Sequence, residues 1–370
     1  MQNQFNAPFS VAWEHRLCFT NNSFDDGGDV SRVLEILHPV KVLPVLDLGL
    51  TKANKSIFDE VCNWSTKQAF TVTTPLTVTG GEDAKNDFSV VEKVLHAINN
   101  ERLCRKSCVL VIGGGAVLDA VGFATSIAHR GIPLVRMPTT TLSACDSGMG
   151  VKNGVNYFGK KNFIGVFDPP FAVINDFDLL KSLDDRHWRS GLSEAVKVSL
   201  IKDPEFFKEI ESKSSQLNQR DMDAMSDVIK KSALLHLQHI TEGGDPFERL
   251  EARPLDFGHW SAHKLEQLTS NELTHGEAVA IGLAIDVQCS VILGYLQEDT
   301  AKKIIALLLE LGLPISHPSM SDPLLLQGIE EFREHLGGTL TLLMLRDIGD
   351  PINIHELDAQ VVRQAVLNLL

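Results

Sequence analysis

The chain lacks the marks of a secreted, membrane-spanning or nucleic-acid-binding protein. Its six cysteines, at positions 18, 62, 104, 108, 145 and 289, include no Cys-x-x-Cys pair. Cys104 and Cys108 stand four apart with no second pair to complete a zinc site, so free thiols in a reducing compartment are expected. No apolar stretch reaches the roughly 18 residues that a membrane span requires. The start, Met1-Gln-Asn-Gln-Phe-Asn-Ala-Pro8, has neither the basic opening nor the apolar run of a signal peptide. Positive charge is short too: 34 lysines and arginines against 48 aspartates and glutamates leave a net charge of −14. That balance excludes general binding to nucleic acid or anionic membranes. A cytoplasmic protein is expected, and any anionic substrate must be held by a local basic cluster. Repeats and low-complexity tracts are absent.

What is present divides in two. At 370 residues the chain exceeds what one core usually organises. Up to about residue 177, short apolar runs (Lys41–Asp47, Phe70–Thr73, Val109–Ile112, Pro133–Met137, Phe171–Ile174) alternate with helical patterns over 52–62, 86–100 and 116–128. Such alternation predicts a Rossmann-like parallel sheet with helices on both faces. Phe9–Thr20 reads as an additional strand or hairpin. From residue 178 to 370, 3.6-residue periodicity dominates (191–201, 204–216, 220–241, 259–268, 276–294, 298–311, 322–335, 357–369) with almost no strand signal. This half is expected to be an all-α domain, with 276–294 apolar nearly all round and buried at its centre. Between the halves, 146–162 carries four glycines and three lysines and no helical period. It reads either as an anion-binding loop or as a solvated one.

The residues that carry chemistry lie in both halves. Cys108-Val-Leu-Val-Ile-Gly-Gly-Gly-Ala-Val-Leu-Asp119 reads as buried strand, glycine turn and helix start. It holds half of a dinucleotide fingerprint, because Leu118 occupies the third glycine position. Thr139-Thr140, after another strand, offers hydroxyl donors to a phosphate or simple strand-end caps. In the second half Glu194, His259 and His275 are zinc-ligand types. Two imidazoles and a carboxylate leave a fourth position open, the usual state of a catalytic zinc site. His263 shares a helix face with His259 and is either a joint ligand or a surface histidine. Lys197 shares a face with Glu194, so a simple salt bridge competes with the metal reading. A metal that grips an alcohol beside a cofactor that takes its hydride would make an enzyme of alcohol oxidation.

In order along the chain, Gly113–Phe123, Arg130-Gly, Met137–Ser147, Lys152, Gly159–Gly165, Ser190–Lys197, Gly258-His-x-x-x-His263 and His275-Gly-Glu-Ala resemble the sugar phosphate cyclase superfamily. Its best-known member is 3-dehydroquinate synthase, and the likeness runs from about Pro44 to Leu345. The resemblance implies zinc, or cobalt in its place, on Glu194, His259 and His275, with His263 in proton transfer or facing phosphate. It implies NAD on Gly114, Gly115 and Asp119, with Thr139 and Thr140 near its phosphates and Lys161 and Leu179 to Ser182 lining its site. Asp47, Glu82 and Lys85 match the segments at the adenosine end. Asp146, Lys152, Asn162 and Lys197 would contact substrate, Glu248 would serve proton transfer, and Arg130 would reach a neighbour's phosphate site in a homodimer. The implied chemistry is a closed redox cycle: ring oxidation, β-elimination of phosphate, return of the hydride, ring opening and aldol closure.

Departures from 3-dehydroquinate synthase bear on the substrate. Counting back from His259, the lysine and arginine that would hold a carboxylate fall on Gln238 and Ala252, with Arg253 one residue away. Asp256 replaces an asparagine, and the expected C-terminal lysine is missing from Arg333–Gly338, leaving Arg333 or His335 as stand-ins. The expected substrate is therefore a ketose phosphate with a neutral head, such as sedoheptulose 7-phosphate. The tract Ala252–Lys264 looks most like the cyclases of ebo-type gene clusters. Two rivals remain: a true 3-dehydroquinate synthase, and a metal-dependent polyol or glycerol-phosphate dehydrogenase.

Overall fold

A computed structural model describes residues 5–247 and 254–370. The strands are β1 (Arg16–Thr20), β2 (Lys41–Asp47), β3 (Thr71–Val72), β4 (Leu76–Val78), β5 (Cys108–Gly113), β6 (Leu134–Pro138), β7 (Lys152–Tyr157), β8 (Lys160–Phe167), β9 (Ala172–Asp176), β10 (Leu342–Asp347) and β11 (Asp350–Ile354). Seven of them form a parallel sheet in the order β1-β9-β6-β5-β2-β3, with β4 also on β2. Both faces are covered. Leu43, Val45, Val109 and Val111 enter one apolar cluster, while Val42, Leu46, Leu110 and Ile112 enter another. That division explains why β2 and β5 read as unbroken apolar runs rather than alternating ones.

Strand order reverses between β2 and β5, so the crevice outside their carboxyl ends is the expected ligand position in an open α/β sheet. Asp47 and the Gly113–Gly115 turn lie there.

The second half is helical, with Asp185–Lys202, Pro204–Asn218, Met222–Glu242, His259–Leu268, His275–Ile292, Glu298–Glu310, Gln327–His335 and Ala359–Leu369. His275–Ile292 has the length and composition of a membrane span, yet 72% of it is buried inside the fold. It is the central helix that its composition suggested.

Several local expectations change. The 52–62 helix is two, Leu48–Ala53 and Ile57–Ser65, parted at Asn54. Phe9–Thr20 yields only the edge strand β1. The helical half contains the antiparallel pair β10–β11. The 146–162 segment is no open loop. After a helical turn at Ser143–Ser147 it forms the hairpin β7–β8. The hairpin turns at Phe158 and Gly159, both with positive φ (52° and 70°), as a two-residue type I′ turn requires.

Candidate active site

Three helices bring the metal-ligand types together. Glu194 lies in the middle of Asp185–Lys202, and His259 and His275 each open a helix. Their ligand atoms all fall within 4.8 Å of one another. His275 Nε2 is 3.5 Å and His259 Nε2 3.7 Å from Glu194 Oε1. The turn before His259 needs Gly258, whose φ is +78° and whose added Cβ would lie 2.8 Å from the backbone nitrogen of Leu283. Asp286, deep in the central helix, fixes that turn by accepting from Gly258 N (2.9 Å) and Trp260 Nε1 (2.8 Å). Burial drives its carboxyl up to about 7.

The donor set fits a metal. Glu194 is 1% exposed, and neither carboxylate oxygen accepts a well-directed hydrogen bond, although Lys197 Nζ stands 2.5 Å away. The salt-bridge alternative is thus present beside the histidine cluster. His259 gives Nδ1–H to the Phe257 carbonyl (3.0 Å) and His275 gives its own to Glu266 (3.1 Å), so both Nε2 atoms face Glu194. Such outer partners fix tautomer and ring plane. His263 joins a second possible cluster with Glu266 and His275.

Charge sorts these groups. Burial opposes ionisation of Glu194, but Lys197 outweighs it and holds the carboxyl at about 2. Burial alone would lower His275, but Glu266 and Glu194 raise it to about 10. His263 is lowered to about 3 by burial and by the neighbouring His259. Asp146 accepts from His236 Nδ1 at 2.8 Å and lies 3.6 Å from Lys197. Against the opposing effect of burial, those two neighbours hold it well below the ordinary carboxylate range.

A cavity of about 460 Å³ connects this cluster to the nucleotide turn. It is lined by Glu82, Lys85, Gly115, Asp119, Asp146, Lys152, Lys161, Asn162, Lys197, Asp256, His259, His263 and His275 among the expected residues. The turn also fits a nucleotide. Gly114 caps the helix Gly115–Ile127 without a side chain, leaving first-turn N–H groups open. A Cβ on Gly115 would stand 2.6 Å from Ser147 Oγ, a buried hydroxyl with no partner. Asp47 accepts from Gly49 N at 2.6 Å and from Gly114 N at 3.4 Å. Thr139 N donates to the Gly113 carbonyl, and Thr140 Oγ1 pairs with Ser143 Oγ.

Lys85 is ion-paired with Asp119 at 2.6 Å and contacts Asn162. Lys152 is positioned by a residue the sequence reading missed. Arg136, wholly buried on β6, donates to the carbonyls of Gly148 (3.2 Å), Gly150 (2.8 Å) and Lys152 (3.1 Å) and to Asn153 Oδ1 (2.6 Å).

Other expected residues are placed elsewhere. Leu179 lines a separate cleft with Asn22–Asp26 and Trp64, and Ser182 Oγ donates to the Leu179 carbonyl. Arg130 is exposed at the far end of the helix that starts at Gly115. Arg333 pairs with Glu330, and its neighbour Phe332 faces the cavity instead. Gln238 is a correction. It is exposed on Met222–Glu242, while His236, His239 and Ile240 of the same helix line the cavity. Residues three and four apart share a helix face, and Gln238 falls on the opposite one. Glu248, Ala252 and Arg253 lie outside the described residues. Glu266, unremarked in the sequence, is the acceptor behind His275.

A parallel-sheet domain with a nucleotide-fitting turn, joined to a helical domain with a His–His–Glu cluster, is the arrangement of a metal- and nucleotide-dependent enzyme. Family signatures described as 3-dehydroquinate synthase N-terminal and C-terminal match residues 75–190 and 191–332. The chain is 35% identical over 278 residues to a 3-dehydroquinate synthase of Halorhodospira halophila, covering 75% of this chain and 78% of that one. It is 32% identical over 299 residues to a 2-epi-valiolone synthase of Actinosynnema mirum, covering 79% and 77%. A 2-epi-5-epi-valiolone synthase structure from Streptomyces hygroscopicus, with NAD⁺ and Zn²⁺ bound, superposes with TM-score 0.89 and 26% identity over 99% of both chains. The chain belongs to the sugar phosphate cyclase superfamily, a group of carbon–oxygen lyases that includes 3-dehydroquinate synthase.

Proposed function

We propose that this cyclase takes a ketose phosphate with a neutral head, sedoheptulose 7-phosphate or a close relative, and converts it to a carbocycle with release of phosphate. The observation that carries the substrate is the state of the cavity's cations. No arginine lines it among the described residues, and its Lys85, Lys161 and Lys197 are each ion-paired to a protein carboxylate. The helix that would have supplied a lysine presents His236, His239 and Ile240. A substrate carboxylate needs a charge-assisted partner, and Asp256 adds negative charge on the same lining. Identity does not choose between substrates, because relatives of both kinds stand at 35% and 32%.

Glu194, His259 and His275 would hold zinc, and the Gly113–Gly115 turn with Asp47 and Asp119 would hold NAD. When bound, zinc supplies a Lewis acid to a carbinol oxygen and NAD⁺ a hydride acceptor. The chain's own groups orient and move protons. Lys152 and Asn162 bind phosphate, with Arg130 of a second copy in a homodimer. Lys197 and Asp146 hold substrate hydroxyls. His263, kept neutral, accepts or returns a proton.

The test is phosphate release from a panel of seven-carbon phosphates with NAD⁺ and zinc. Sedoheptulose 7-phosphate should release phosphate with no net NADH. Preference for the acidic seven-carbon phosphate that feeds the shikimate pathway would instead identify a 3-dehydroquinate synthase. Stoichiometric NADH without phosphate release would identify a dehydrogenase.

A further inference from the structure

Behind the three converging ligands runs a line of charged side chains that the chemistry above leaves unused. Lys161 Nζ, on β8, stands 2.7 Å from Glu82 Oε1 and 3.1 Å from Glu266 Oε1. The other oxygen of Glu266 lies 3.1 Å from His275 Nδ1, and Nε2 of the same ring lies 3.5 Å from Glu194. The side chain of Glu266 is 4% exposed and that of Lys161 16%. The line therefore crosses from the sheet-bearing half into the helical half, mostly out of water.

An imidazole that offers Nε2 to a metal has one N–H left, and the acceptor of that N–H fixes the ring's tautomer and plane. For His259 the acceptor is a backbone carbonyl of Phe257, two residues away. For His275 it is a side chain that could swing. A carboxylate with two ions to serve has its geometry set by both, and here the second ion is the Lys161 ammonium. Low exposure keeps solvent from replacing either contact.

We infer that Glu266 and Lys161 act as one positioning unit that holds His275 in its metal-binding pose. Lys161 is thus a positioning residue for the metal site, in addition to the cofactor contact expected of it. The inference rests on the zinc reading above, and its test separates the two.

Zinc affinity is measured on the full-length chain, without NAD⁺ or substrate, by chelator competition across pH. It is compared as the affinity of the site with His275 deprotonated, because the Glu266 carboxylate also favours the proton that zinc displaces. Glu266→Ala should weaken zinc by roughly ten- to a hundredfold, the usual effect of removing such an outer partner. Glu266→Gln, which keeps an acceptor for Nδ1–H, should lose less. Lys161→Met should weaken zinc by roughly threefold or more alone, and should have no effect once residue 266 is alanine. The visible spectrum of bound Co²⁺ should shift in Glu266→Ala, which a role in folding alone would not produce. Thermal unfolding checks that each variant folds, and Glu266→Gln replaces Glu266→Ala as the decisive variant if the latter does not. Unchanged zinc affinity in Glu266→Ala overturns the positioning role, and equal effects of Lys161→Met in both backgrounds overturn the unit. If Glu194→Ala also retains zinc, the zinc reading itself has failed.

Discussion

Metal and proton should compete for His275. In the metal-free chain this imidazole is held near pKa 10 by Glu266 and Glu194, which outweigh the effect of burial. It is therefore doubly protonated at neutral pH and has no lone pair on Nε2. The other ligands do not share the problem: His259 is lowered, chiefly by burial, and Glu194 titrates at about 2. Zinc at pH 7 to 9 must thus displace about one proton. Apparent affinity should rise about tenfold per pH unit, or about a hundredfold between pH 7 and 9, equivalent to about 2.7 kcal/mol at 1.36 kcal/mol per unit. The stability of the metal-free protein should run the other way. A histidine raised in the fold contributes fully below its unfolded pKa of 6.5 and loses that contribution as pH rises through about 10. The assay is chelator competition across pH, with the chelator's own titration corrected, and proton release in weak buffer. Flat affinity from pH 7 to 9 with no proton released would refute the reasoning.

Three further outcomes are expected. Glu194→Ala should lose both zinc and phosphate release, because two ligands hold the ion poorly, whereas His263→Ala should retain zinc by direct metal analysis and lose about 10²–10⁴ in rate; an empty site in His263→Ala would make the histidines joint ligands. Asp286→Ala should cost about 2–4 kcal/mol in urea unfolding, since it strands the buried donors Gly258 N and Trp260 Nε1; a loss below ~1 kcal/mol would mean that the turn is held by other contacts. Lys152→Ala and Arg130→Ala should each lose activity alone, and mixing the two inactive chains should restore part of it; no recovery in verified mixed dimers would remove Arg130 from the neighbour's site.

Where local pattern and tertiary structure agreed, the sequence was legible. The long apolar runs became β2, β5, β6 and β9, because strands covered on both faces need no alternation. His259 and His275 stood out as ligand-type side chains within tracts that resemble the superfamily, and each opens a helix. What escaped depends on contacts made at a distance. The hairpin β7–β8 is polar and glycine-rich, and its order follows from Arg136, a buried arginine whose hydrogen bonds go to segments 12–17 residues away. β4 is three residues long, too short for periodicity to register. Gln238 failed for a different reason: counting from His259 fixes a position in the chain but not a helix face, and the face belongs to His236 and His239. Glu266 was available in principle. It follows His259 by seven residues and His263 by three, steps that return to the same side of a helix, and a carboxylate on a metal-facing stripe is a signal.

Charge around the cavity also bears on the proposed contribution of a second copy. Among the described residues six carboxylates line it, Glu82, Asp119, Asp146, Asp245, Asp256 and Glu266, against four lysines, with Glu194 directly behind. Zinc would bring the balance close to neutral, but a phosphate dianion would tip it negative again. Under the proposed function, a cation from beyond these described lining residues would offset that charge. Arg130 cannot supply it to its own site. It sits past the end of the 13-residue helix whose first turn opens on the cavity, about 20 Å away at 1.5 Å per residue. Its backbone is in the left-handed region, φ +63°, so the chain turns sharply there and the guanidinium is left exposed on the outer surface. In the proposed function such an arginine would complete another molecule's phosphate site, and so the complementation experiment is a test of the electrostatics as well as of the dimer.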